Sequence, residues 1–219
     1  EHPELRGKSI AVCGDPEARH GIVLTASYPA KRMGVKTAMP IWEAKQHCRD
    51  LIVVPASYGK YQKYSSYVRE IFRDYTDQVE SFGLDEAWLD ITGSLGLFGD
   101  PVKIAKEISD RIKRELGITV SIGVSFNKIT AKLGSDYKKP DAITVIEPDN
   151  YKQIVYPLPV GDLLYVGNAT QRKLGSYGIR TIGQLAETNP EVLKGWFGVM
   201  GYTLSAFARG LDQTPVAKQ

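Results

Sequence analysis

A chain of 219 residues, 42% hydrophobic and 24% charged, has the balance of an ordinary globular protein with room for one large domain or two to three small ones. No uninterrupted apolar run of about eighteen residues is present, which argues against a helical membrane span, and the opening Glu1-His2-Pro3-Glu4 is not a signal peptide. A formal net charge of +3 permits a nucleic-acid partner on one basic face without requiring it, while two cysteines, Cys13 and Cys48, are too few for a disulfide framework and are expected to be reduced thiols.

Taken in order, residues 9–13 and 21–27 are apolar runs that predict strands, 40–48 a short helix and 51–55 a buried strand. Tyr61, Tyr64, Val68, Ile71, Phe72 and Tyr75 recur at three- and four-residue spacings, which predicts an amphipathic helix over 60–75. Strands follow at 79–84 and 87–92, with Asp85-Glu86 between them. Asp100 as cap, Pro101 at the first helical position, the stripe Ile104, Ile108, Ile112 and Leu116, and the stop at Gly117 define the clearest helix. A strand over 118–124, a helix over 127–137 ended by Pro140, and a strand over 142–146 complete an α/β layer, a sheet with helices on one face. Composition changes at 147–150, a linker, after which short glycine-punctuated helices predict a small all-helical domain.

The chemistry centres on Asp85-Glu86. Adjacent carboxylates on a straight strand point to opposite faces, but at a hairpin the pleat breaks and both can reach one site. Clustered carboxylates repel, and Mg²⁺, which combines one or two carboxylates with substrate phosphates, relieves that repulsion. Val79, Phe82, Leu84, Trp88, Leu89 and Ile91 flank the pair with core-type side chains and predict buried surroundings, where an acid pair without a cation is expensive. Asp90 is a third nearby acid with a turn or edge role.

The segment Gly83-Leu84-Asp85-Glu86-Ala87-Trp88-Leu89-Asp90 resembles the acidic motif of Y-family (translesion) DNA polymerases, Ser-x-Asp-Glu-x-aromatic-x-Asp. Thr25-Ala26-Ser27-Tyr28-Pro29-Ala30-Lys31-Arg32 through Met39-Pro40, Ser121 to Lys128, Ala131-Lys132, Lys138-Lys139-Pro140 and Ala208-Arg209-Gly210-Leu211-Asp212 are similar to further segments of that family in the same order, nearest its bacterial polymerase IV and UmuC types (ImpB/MucB/SamB). The resemblance implies an α/β (α+β) fold with fingers at 1–57, a palm of mixed or antiparallel sheet at 58–146, a helical thumb at 147–212 and the start of a linker at 213–219. It implies a lesion-bypass DNA polymerase core that adds dNTPs to a primer 3′ end on template DNA by two-metal phosphoryl transfer, with two Mg²⁺ ions. Asp85 and Glu86 would hold the metal. Thr25, Tyr28, Lys31, Arg32 and Lys139 would meet the nucleotide triphosphate, and Ile22, Leu24 and Ala38 would roof the templating base. A bacterial cytoplasmic location and a sliding-clamp contact through a further C-terminal region are implied as well.

Several positions depart from the family pattern. Its first strand, with a third metal-binding Asp, is expected before Glu1, and its little-finger domain after Gln219, so this stretch alone is expected to be inactive. Lys31 stands where the family has Arg, which keeps the charge but loses the planar fork, and Gly83 replaces Ser. The family's Pro-Gly-Ile-Gly thumb hairpin aligns with Leu164-Tyr165-Val166-Gly167, so Tyr165 in place of the first Gly predicts a reshaped turn. Gly167, Asn168 and Thr170 would still open a helix whose amides meet a DNA phosphate, with Arg172 and Lys173 nearby. Two other readings compete: a catalytically impaired DNA- or partner-binding module, which Gly83 and Lys31 keep open, and a diguanylate-cyclase-like nucleotide cyclase, which the helical C-terminal domain opposes.

Overall fold

The structure is a computed structural model that describes residues 2–14 and 21–218. The chain divides into two compact units, Glu1–Gln62 and Lys63–Gln219.

The first unit is a three-stranded sheet of order β2-β1-β3, built from β1 (Ile10–Cys13), β2 (Val23–Ala26) and β3 (Ile52–Pro55). β1 runs antiparallel to β2, with Ala11 opposite Ala26, and parallel to β3, with Ile10 opposite Ile52. Two short helices, α1 (Tyr28–Arg32) and α2 (Ile41–His47), accompany it. Ala11 and Cys13 of the central strand, Val23, Ala30, Val35, Ala44, Cys48 and Leu51 form its core. The predicted strands are present, but the third is half-buried rather than buried, because it lies at the sheet edge. Helix α1 was not foreseen: Ser27-Tyr28-Pro29 reads as a strand end, whereas Pro29 sits in the first helical turn, where its missing N–H is no loss.

Helix α3 (Tyr58–Arg73) leads from the first unit into the second. The periodicity is correct but not the burial. Ile71 and Tyr75 are buried, whereas Tyr58, Tyr61, Tyr64 and Tyr67 are exposed, paired edge-to-face as Tyr58–Tyr61 and Tyr64–Tyr67.

In the second unit β4 (Val79–Phe82) and β5 (Glu86–Leu89) form an antiparallel pair. After α4 (Leu95–Phe98) comes α5 (Pro101–Leu116). The Asp100 carboxylate accepts from the Val102 and Lys103 amides, both at 3.0 Å, and Gly117 ends the helix at φ +68°, a conformation open to glycine. β6 (Ile122–Ser125) and β7 (Ile143–Ile146) pair in parallel around α6 (Lys128–Tyr137), capped by the Asn127 side chain. The predicted strand over 118–124 begins only at Ile122, and Ile118 is exposed. Ile71, Tyr75, Ile104, Ile108 and Ile112 form one core, with Leu89, Ile91 and Ile122 packed against it. Helix α6 lies so close to β6 that a Cβ on Gly123 would come within 1.9 Å of the Ala131 carbonyl oxygen.

The remaining elements are helical, as predicted: α7 (Tyr151–Val155), α8 (Asn168–Ser176), α9 (Ile182–Glu187), α10 (Pro190–Phe197) and α11 (Val199–Ala208). Val155, Leu163, Leu174, Ile182, Leu185, Leu193 and Leu204 make their core, together with Ile129 and Leu133 of α6 and Ile146 of β7.

Candidate active site at the acidic bend

Phe82 pairs with Glu86, so residues 83–85 form the connection between β4 and β5. Gly83 holds φ +73°, a left-handed conformation that favours glycine over serine and gives the Gly83 departure a backbone reason. Helix α3 ties the bend from its own side. The Ser65 hydroxyl donates to the Leu84 carbonyl, and the Arg69 guanidinium donates to the Gly83 carbonyl at 2.9 Å. Asp85 therefore stands in the turn and Glu86 opens the strand. The buried surroundings expected from the apolar flanks are found only away from the bend: Val79 is buried and Leu89 and Ile91 pack against the core, while Trp88 is half-buried and Phe82, Leu84 and Asp85 are exposed. The bend lies at the end of a two-stranded ribbon. Asp90 takes a turn role, its carboxylate accepting from the Thr92 amide at 2.9 Å.

The two acids differ in their partners. The Asp85 carboxylate makes no hydrogen bond or ion pair among the described residues. Glu86 Oε1 meets the Lys132 ammonium at 2.9 Å. Lys132 Nζ also meets Asp136 Oδ2 at 2.6 Å, and the other oxygen of Asp136 meets Lys139 Nζ at 2.6 Å. A chain of alternating charge thus runs Glu86–Lys132–Asp136–Lys139 along α6. For Asp136, burial acts to raise the carboxyl, but the Lys132 and Lys139 hydrogen bonds outweigh it and hold the group below its usual range. For Lys132, burial acts downward, and the bonds from Asp136 and Glu86 outweigh it and hold the ammonium above its usual range. A second cation, Lys128, meets both oxygens of Glu80 at 2.6 and 2.7 Å and lies 4.6 Å from the Trp88 ring centroid, whose Nε1–H donates to the Lys128 carbonyl. The final residues return to this pair: the Ala217 amide donates to Glu80 Oε2 at 2.7 Å, and Lys218 meets Asp77 at 2.6 Å.

Sequence reasoning noted Lys132 only as part of a motif and did not single out Asp136. Their opposite charges four apart on a helix were the available signal. Among the described residues no group of three His, Cys, Asp or Glu side chains is placed to hold a metal ion. Two carboxylates at an open bend, one of them exposed, do suit Mg²⁺, which completes its shell with phosphate and water; Asp85 and Glu86 would hold it.

In the first unit, Tyr28 opens α1 and is 44% exposed, with Lys31 Nζ 5.3 Å from its ring centroid. The Ser27 hydroxyl fixes this helix start to β1, accepting from the Ile10 amide at 2.9 Å and donating to the Lys8 carbonyl at 3.0 Å. Thr25 and Arg32 are exposed. Ile22 is exposed and bridges Pro40; the Ala38 amide donates to the Val23 carbonyl at 2.8 Å with φ +66°, so Ala38 lies beside β2, while Leu24 is half-buried.

In the helical region Gly167 caps α8, with Asn168 exposed and Thr170 half-buried in its first turn. Arg172 is exposed, but Lys173 is engaged internally, donating to the Trp196 carbonyl at 2.5 Å and lying 4.8 Å from the Phe197 ring centroid. The turn before α8 keeps a left-handed residue: Tyr165 takes φ +69° and stacks on Phe207 at 6.0 Å. Ring stacking on Phe207 offsets a conformation that costs a non-glycine residue about 1 kcal/mol. No helix among the described residues is long and apolar enough to cross a membrane.

Known proteins are similar to this chain over nearly its whole length. Residues 1–136 match the impB/mucB/samB family and residues 161–212 a thumb domain described for DNA polymerase-iota. A DNA polymerase IV of Acetivibrio thermocellus is 57% identical over 217 residues, covering 99% of this chain and 54% of that protein. DNA polymerase IV 1 of Bacillus subtilis is 43% identical over 214 residues, covering 98% of this chain and 51% of that protein. A crystal structure of DinB from Sulfolobus solfataricus superposes with a TM-score of 0.88 at 30% identity, covering 99% of this chain and 64% of that one. An insertion ternary complex of Dbh DNA polymerase gives 0.88 at 30% identity, covering 98% and 63%. The chain spans about half the length of these curated relatives. With a family match over more than half its residues, a mixed sheet with helices and a helical C-terminal region, the chain belongs to the impB/mucB/samB family of Y-family DNA polymerases.

Proposed function

We propose that the protein carries the catalytic core of a lesion-bypass DNA polymerase, which extends a primer 3′ end with dNTPs on template DNA. The observation that carries this reading is the acidic bend: Asp85 exposed and unpaired in a Gly83 turn, beside Glu86 on a strand, in a chain whose relatives are named DNA polymerase IV. By this reading residues 1–57 are fingers, 58–146 palm, 147–212 thumb and 213–219 the start of a linker, in a protein of the bacterial cytoplasm.

Asp85 and Glu86 would hold two Mg²⁺ ions, which would supply neutralisation of the charge on the triphosphate. The chain's own groups do the positioning that phosphoryl transfer requires. Lys139 offers a compact positive charge to the phosphates, Tyr28 and Thr25 offer hydroxyl hydrogen bonds, and Lys31 and Arg32 add cations. Ile22, Leu24 and Ala38 present small or apolar surface to the templating base, which leaves room for a distorted one. The amides that open α8 at Gly167, Asn168 and Thr170, with Arg172 and Lys173 close by in sequence, meet a phosphate of primer-template DNA.

The test is primer extension by the full-length parent protein with Mg²⁺. Asp85→Ala is expected to abolish extension while DNA binding and the unfolding midpoint stay at wild-type values; extension at the wild-type rate would overturn the assignment.

A further inference from the structure

Glu86 does not face solvent alone. Its Oε1 is already held by the Lys132 ammonium at 2.9 Å, and the Lys132 side chain is only 17% exposed. A divalent cation that takes Glu86 is therefore repelled by that ammonium, and competes with it outright for Oε1. The competition would be one-sided if Glu86 were the only partner of Lys132, because capture by metal would strand a largely buried positive charge. Asp136 prevents this. It meets Lys132 at 2.6 Å, the shorter of the two contacts, and its second oxygen is anchored by Lys139 at 2.6 Å. The backbone that carries Lys132 is fixed, because α6 is pressed against β6 where Gly123 faces the Ala131 carbonyl and Gly134.

We propose that Asp136 is a positioning residue that acts through Lys132: by giving the ammonium a second partner, it releases Glu86 to bind a divalent cation. The inference rests on Glu86 being a metal ligand, as read above. Lys132 is then a placeholder that neutralises Glu86 when no metal is bound, and Asp136 sets how firmly the placeholder holds. The same carboxylate fixes Lys139, so metal capture at Glu86 and the placement of the Lys139 charge share one hinge side chain.

Two single variants have opposite expected signs. Lys132→Met removes the competitor, and Asp136→Asn leaves Lys132 bound to Glu86 alone. Mn²⁺ binding to the 219-residue chain, followed by the electron paramagnetic resonance of free Mn²⁺, is expected to tighten about tenfold for the first and to weaken for the second. A change in net charge alone would produce the same pair of signs. The deciding measurement is therefore Asp136→Asn in the Lys132→Met background, where its effect is expected to vanish, since a residue that acts through another shows full coupling. Lys132→Arg, which keeps the charge, is expected to stay near wild type, and Lys132→Gln replaces Lys132→Met should the latter unfold in a thermal scan. An undiminished Asp136→Asn effect in the double variant, or no tightening when the ammonium is removed, overturns the proposal. Glu86→Gln separates the two levels of the argument: unaltered Mn²⁺ binding there overturns the ligand role of Glu86 itself, whereas lost binding with additive lysine and aspartate effects overturns only the coupling.

Discussion

The helical region after residue 150 and the bend at residues 83–85 divide the work of the second unit between them. The first is built of fully buried aliphatic side chains, among them Leu163, Leu174, Ile182, Leu185, Leu193 and Leu204. The second exposes Phe82, Leu84 and Asp85 and is held by two side-chain bonds to carbonyl groups. Stability is concentrated where apolar area is removed from water, and the uncompensated charge is placed where little apolar burial depends on it. Acidic groups that must take a cation belong in the second kind of surroundings, because removing them disturbs no packing.

That contrast breaks most visibly at the core. Leu193→Ala is expected to destabilise the chain by about 3 kcal/mol in urea unfolding, since the buried side chain leaves a cavity. A loss comparable to that of a surface substitution would mean that the helical region is not the stable part. A smaller effect is expected at Tyr165, where backbone strain and ring stacking oppose each other. Tyr165→Gly relieves the strain and Tyr165→Ala does not, so the glycine variant is expected to be more stable than the alanine variant by about 1 kcal/mol. Equal stabilities would show that the turn had moved.

Glu80 sharpens the comparison from the charged side. Burial acts to raise its carboxyl, but the Ala217 amide and the Lys128 ammonium outweigh it and hold it below its usual range. The folded state therefore binds the proton less readily than the unfolded chain, so this contribution is present above the unfolded value of about 4.3 and is lost as the pH falls through the lowered folded value. Urea unfolding across the acid range is expected to show that decline, and Glu80→Gln to flatten it. Asp85→Asn is expected to have the smallest effect on folding, under about 0.5 kcal/mol, because an exposed, unpaired carboxylate holds nothing together. A large loss of stability would place Asp85 in the scaffold rather than in the site.

Much of this was legible in the sequence where local chemistry decides the outcome. Asp100, Pro101 and Gly117 delimit α5 without tertiary help, the helix read over 127–137 is α6, and the first two apolar runs form β1 and β2. Legibility fails where burial depends on what lies opposite. The tyrosines of α3 follow a helical period yet stay exposed, and Phe82 and Leu84 beside Asp85 are left exposed at a ribbon end. Helix α1 was hidden because Ser27-Tyr28-Pro29 resembles a strand terminus until the Ser27 hydroxyl is seen bound to both Ile10 and Lys8. The acid pair and Lys139 could be named from a motif, and Lys132 and Asp136, four apart on α6, carried a local signal, but the Glu86–Lys132 contact could not be read, because it joins residues 46 apart through a helix laid beside a strand.

The crossing of α6 over Gly123 has a consequence for tolerance to mutation. Where two main chains touch with no side chain between them, the spacing is set by peptide geometry and not by the volume of any replaceable residue. Aliphatic exchanges elsewhere in the unit can drift, swell or shrink the interior while the α6 backbone that carries Lys132 and Asp136 keeps its spacing from β6. The electrostatic arrangement is thereby insulated from the slow turnover of the residues that keep the protein folded.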